Sequence, residues 1–159
     1  MTKDNLSNTQ IRSILTEART IAMVGLSGNW SRPSYFAAKY LIDHGYKVIP
    51  VNPNYDEILG QKCIPNLESI DEPVDVVDLF QRTDLIANFL EGAAKLNAKV
   101  FWMQLGIANE VVGNQARERG MQVVMDRCMK IEYARLFGGL NWSGVNTGVI
   151  SSRRPRRII

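Results

Sequence analysis

The sequence predicts a doubly wound, Rossmann-like α/β domain: a mostly parallel sheet between two helical layers. Three observations carry this. Short apolar runs alternate with segments of helical period, and each helical segment ends near a glycine or asparagine. The 159 residues, 45% hydrophobic and 22% charged, suit one domain with a full core. Strands separated by helices of about ten residues need crossover connections, which makes the sheet parallel and covers both its faces. Such sheets bind ligands beyond the carboxyl ends of their strands, where the winding reverses.

The elements follow in order. Thr9 to Ala18 places Ile11, Ile14, Leu15 and Ala18 at spacings of three and four, an amphipathic helix covering one side of the sheet. Thr20 to Gly25 (TIAMVG) is a buried parallel strand ended by glycine. After a polar loop, Pro33 opens a helix that runs through Tyr35, Phe36, Ala38 and Leu41 to a stop at Gly45. Tyr46 to Val51 is the second strand, closed by Asn52-Pro53-Asn54. Tyr55 to Pro73 holds a brief strand and one helical turn. Val74 to Phe80, Lys99 to Gln104 and Met121 to Met125 read as strands, with helices over Leu85 to Leu96 and Glu110 to Arg119 between them.

Composition excludes several classes of function. One His and two Cys, Cys63 and Cys128, rule out a Cys/His zinc cluster and a disulfide framework, and both cysteines read as small core residues. No apolar run reaches a membrane-spanning length, and the amino terminus lacks a signal-peptide apolar region, so the expected address is the cytoplasm. The net charge is +3, but Arg153, Arg154, Arg156 and Arg157 sit in the last seven positions, and without them it is −1. The folded part is therefore nearly neutral, and nucleic acid is disfavoured as a partner. The expected division is a domain over residues 1–140 and a tail over 141–159. Trp102, Phe137 and Trp142 suit a core or an interface equally, which leaves the oligomeric state open.

The strand ends carry the chemistry. The loop from Gly25 to Ser34 (GLSGNWSRPS) joins the first strand to the first helix. Its small residues let backbone N–H groups approach a phosphate, Ser27, Ser31 and Ser34 offer hydroxyls, and the helix starting at Pro33 adds its partial positive charge. Arg32 supplies a planar cationic fork suited to phosphate oxygens, and Arg82 places a second cation at the binding edge. The dinucleotide fingerprint is incomplete: Ser27 and Trp30 stand where its second and third glycines belong, and the second strand ends on Asn52-Pro53 with no acid until Asp56. No phosphate-binding G-K-S/T and no G-x-S-x-G is present. His44, at the end of the first-strand helix, reads as a helix cap. Asp75 and Asp78, three apart on a strand, point to opposite faces and form no acid/base pair.

The segments VGLSGNWSRPSYFAAKYL, GYKVIPVNP with ILGQK, VDVVDLF, WMQLGI and VVMDRCMKIEYARL together resemble the small stand-alone CoA-binding proteins of Rossmann-like fold, relatives of the CoA-binding domain of the succinyl-CoA ligase alpha subunit. The resemblance spans nearly the whole chain. It implies that Ser27, Gly28 and Asn29 hold the pyrophosphate of CoA, that Asn52 and Pro53 lie near the adenosine, and that Met103, Gln104 and Leu105 border the ligand. The ligase pattern has a lysine just past the second strand; Tyr55 stands at the nearest matching place here. Arg32 or Arg82 would then take that phosphate. The ligase's phosphorylated histidine belongs to a further domain that this sequence does not contain, and His44 matches nothing in the pattern, so ligase activity does not carry over. The expected function is binding of coenzyme A or an acyl-CoA, a small nucleotide ligand, without catalytic machinery. The alternatives are an NAD(P)-dependent oxidoreductase and a nucleotide-responsive regulatory protein.

Overall fold

The computed structural model describes residues 6–138. The tail expected over 141–159, with its four arginines and Trp142, lies outside them. Helix α1 (Asn8–Glu17) opens on a Ser7 cap: the Ser7 hydroxyl accepts from the Gln10 amide and the Gln10 side chain accepts from the Ser7 amide. Then come β1 (Thr20–Val24), α2 (Pro33–Asp43), β2 (Lys47–Val51), β3 (Glu57–Ile58), β4 (Gln61–Lys62), β5 (Val76–Leu79), α3 (Leu90–Lys95), β6 (Val100–Met103), α4 (Glu110–Glu118), β7 (Gln122–Val124) and α5 (Met129–Tyr133). Five parallel strands form the main sheet in the order β2-β1-β5-β6-β7. This is the doubly wound order, and the winding reverses between β1 and β5.

Alternation along each strand divides the core in two. Ile21, Met23, Val76, Val100, Trp102 and Val124 pack under α1, α2 and α5. Ala22, Val24, Val77, Leu79, Phe101 and Met103 pack under α3, α4 and the 3-10 turns Leu67–Ser69 and Thr83–Phe89. Trp102 is completely buried and its Nε1–H donates to the Arg127 carbonyl at 2.7 Å, which makes it a core residue. Phe137 packs on Tyr133, with ring centroids 4.8 Å apart. Asp75, just ahead of β5, accepts from the Arg19 and Thr20 amides through Oδ2 and ties the amino ends of two strands together.

Three expectations change. The helix expected over 85–96 is a 3-10 stretch that becomes α-helical only at Leu90; Thr83 and Asn88 in that stretch are weak helix formers. The stretch after β2 holds a two-stranded hairpin, β3 with β4, turned by Leu59 and Gly60 at positive φ, rather than a single strand. Helix α5 and the π turn Ala134–Gly138 that continues it follow β7, where the sequence pattern predicts no element.

Candidate functional site

Gly25 leaves β1 at φ +83°, and a Cβ there would overlap the Phe80 carbonyl oxygen at the end of β5. Only glycine lets the two chain ends pass this closely. The Gly25 amide donates to the Val51 carbonyl at 3.0 Å and the Phe80 amide to the Val24 carbonyl at 2.9 Å, so β2, β1 and β5 finish together at the point of reversal.

Two cavities open from this junction and share Gly25, Phe80 and Gln81. The larger, about 880 Å³, lies on the α2 and α5 side. Its cations are Arg32, Arg82 and Lys130, its apolar wall is Phe36, Leu105, Ile107 and Ile131, and Gln104 and Cys128 also line it. The smaller, about 540 Å³, lies on the α3 side and is lined by Asn52, Pro53 and Asn54 from the end of β2 and by Asn66, Asn88 and Phe89.

The loop between β1 and α2 is wired to itself. The Ser27 amide donates to the Ser34 hydroxyl, the Asn29 amide to the Ser27 hydroxyl, and both the amide and the hydroxyl of Ser31 donate to Asn29 Oδ1. Of the residues expected here, Gly25, Ser27, Arg32, Pro33 and Ser34 line the larger cavity. Gly28 and Asn29 line neither; Tyr55 lies over Gly28 so closely that a Cβ would stand 2.6 Å from its ring. Asn52 donates to the Leu26 carbonyl at 2.9 Å, fastening the end of β2 to this loop.

The two candidate arginines differ. Arg82 is held by Asp84 through two 3.1 Å bonds, Nε to Oδ1 and Nη2 to Oδ2. Arg32 has no ion-pair partner among the described residues and stands at the amino end of α2. At the end of β6 the three neighbours expected to border a ligand separate: Met103, the last strand residue, points to the opposite core and is fully buried, lining neither cavity, whereas Gln104 and the exposed Leu105, past the strand, both line the larger one.

Residues 19–134 match the family described as CoA binding domain. The chain belongs to this family. An uncharacterized protein of Bacillus subtilis, YneT, is 40% identical over 130 residues, spanning 82% of this chain and 96% of that one. A solved hypothetical protein of Pyrococcus horikoshii superposes with a TM-score of 0.83 at 42% identity, covering 87% of this chain and 97% of the other. An ADP-forming acetate–CoA ligase of Methanocaldococcus jannaschii is 28% identical over 51% of this chain, a match confined to 12% of the ligase.

In this CoA-binding domain α5 supplies residues that the sequence did not reveal. Cys128, expected in the core, is only partly buried and lines the larger cavity; Cys63 is buried as expected. Burial pushes the Cys128 thiol up, opposed by backbone N–H bonds from Ile131 and Lys130, which leaves it protonated and a poor nucleophile at neutral pH. Lys130 lies over the Tyr40 ring, 5.7 Å from its centroid. Helix α5 is fixed by Glu132, which accepts from Arg127 at 3.1 Å and from Arg135 at 2.6 Å. His44 caps α2, its Nδ1 2.7 Å from the Tyr40 carbonyl and its ring stacked on Tyr40. No helix among the described residues is long and apolar enough to cross a membrane.

Proposed function

We propose that this protein binds coenzyme A or an acyl-CoA across the reversal point of its sheet and holds it without making or breaking bonds. The observation that carries the reading is the pair of cavities meeting at Gly25 in a chain of this family. The lining of the two cavities suits such a ligand, although the Ser27, Asn29 and Ser31 amides are engaged within the loop. The smaller cavity, walled by Asn52, Pro53 and Phe89, takes the adenosine. The diphosphate crosses Gly25 toward Ser27, where the α2 amino end and Arg32, without an ion-pair partner among the described residues, favour negative charge. The pantetheine arm follows Phe36, Leu105 and Ile131 into the larger cavity. Gln81, shared by both cavities, stands beside the crossing. The sole histidine is engaged as a helix cap and the cavity thiol is protonated, which supports retention of the ligand rather than turnover.

Thermal unfolding with CoA, acetyl-CoA, NAD and NADP tests this. Ligand at about a hundred times its dissociation constant adds about 2.7 kcal/mol. For a domain of this size the midpoint rises by about 5–10 °C. CoA or acetyl-CoA is expected to produce that rise and the nicotinamide nucleotides none. A rise with NAD and none with CoA overturns the reading.

A further inference from the structure

Asp78 stands in the middle of β5, between Met23 of β1 and Trp102 of β6, with no exposed surface. An ionised carboxylate removed from water without a cation is strongly unfavourable. Among the described residues no cation pairs with it. Its hydrogen-bond partner is Gln104, whose Nε2–H donates to Oδ1. Gln104 is itself 2% exposed and lines the larger cavity.

Two buried atoms of this pair remain without a partner, Asp78 Oδ2 and Gln104 Oε1. Both accept while Asp78 is ionised. One proton on Oδ2 makes it a donor and gives Oε1 its partner, so a single event satisfies both. A carboxylic acid and a primary carboxamide have the complementary groups for such a ring of two hydrogen bonds.

We propose that Asp78 is an uncharged carboxylic acid that donates its Oδ2–H to Gln104 Oε1, and that this ring fixes the Gln104 carboxamide on the floor of the larger cavity with its second Nε2–H free for a carbonyl oxygen of the bound ligand. The class of group read there is an amide or thioester carbonyl. That part rests on the coenzyme A reading above; the ring does not. Ionising Asp78 sets two acceptors face to face and turns the carboxamide out of this orientation.

The surroundings agree. Burial pushes the Asp78 carboxyl up to about 7, against a smaller lowering by the Gln104 bond. On this face of the sheet β1 and β6 contribute Met23 and Trp102, α2 contributes Ala38 and α5 contributes Met129, all apolar in character. The titratable neighbour among the described residues is the Cys128 thiol, which an ionised Asp78 would push further up. Arg32 and Lys130 line the cavity without pairing to Asp78.

Asp78→Asn supplies the test, because an asparagine N–H can donate to Gln104 Oε1 and its oxygen can accept from Nε2, which keeps the ring and removes the titration. The folded carboxyl sits above its ordinary 3.8, so between about pH 4 and 7 the native state holds a proton that the unfolded chain has lost. Wild-type stability from this group is complete below that window, declines as pH rises through it, and levels off above. The unfolding constant shifts by about tenfold per pH unit there. The midpoint of Asp78→Asn should therefore gain on that of the wild type across the window; parallel profiles overturn the proposal. Infrared spectroscopy of the wild type with labelled aspartate needs no variant: a protonated-carboxyl band at about pH 6 that fades by about pH 9 supports the ring, and its absence at about pH 6 overturns it. Calorimetry with CoA at the same two pH values addresses the carbonyl. Wild-type affinity should fall by about two- to tenfold more than that of Asp78→Asn. The ligand's own phosphate ionisation acts on both proteins alike. Equal falls overturn the carbonyl contact, whereas wild-type protein that binds no CoA at either pH overturns the coenzyme reading and leaves the ring to the stability and infrared measurements.

Discussion

Arg32 and Arg82 have the same charge and face the same cavity, yet only one is free to meet a ligand. Asp84 already occupies the planar fork of Arg82, while Arg32 has no ion-pair partner among the described residues. Arg32→Ala is expected to weaken CoA binding by about 1.5–3 kcal/mol, the range for a charge-assisted hydrogen bond. Arg82→Ala should change it much less, because Asp84 already engages and neutralises that guanidinium. Calorimetric titration of both variants checks the order, and a larger loss in Arg82→Ala would reverse the assignment. The sequence placed both arginines at the binding edge because strand ends are readable from periodicity. It could not rank them, because the rank depends on the neighbour two residues along turning back to pair.

Most of the sheet and the loop from Gly25 to Ser34 were legible at the level of elements, since buried parallel strands are continuous apolar runs and Pro33 and Gly45 punctuate α2. Helix α5 was not legible. Five residues carry too little period to stand out, and its place is set by long-range contacts: the Trp102 bond to the Arg127 carbonyl, and the bonds from Arg127 to the Leu6 carbonyl and from Arg135 to Asn8 Oδ1. Cys128, Lys130 and Ile131 were missed with it. Asp78 was visible as an acid inside an apolar strand, but its pairing with Gln104 depends on the register of β5 with β6. Glu132→Gln removes the charge that fixes α5 and is expected to cost about 1–3 kcal/mol of stability. The larger cavity should lose affinity along with it. Denaturant unfolding and CoA titration of that variant measure the two effects, and full affinity in a destabilised protein would show that α5 does not shape the ligand's seat.

For the whole molecule, the junction at Gly25 joins the ends of three strands, so a ligand lying across both cavities spans the reversal of the sheet. CoA is expected to slow amide exchange at Gly25 and at Phe80 together, because opening either end then requires ligand release. Exchange mass spectrometry reads this, and protection on one side alone would confine the ligand to a single cavity. The two cavities also differ in when they can exist. Every residue lining the smaller one lies from Val24 to Phe89, whereas the larger needs Gln104, Leu105 and then Cys128, Lys130 and Ile131. On the ribosome the lining of the smaller cavity therefore emerges well before that of the larger. A nascent chain has no complete seat until its last described helix is out of the exit tunnel, which makes capture of the whole ligand a late event in biosynthesis.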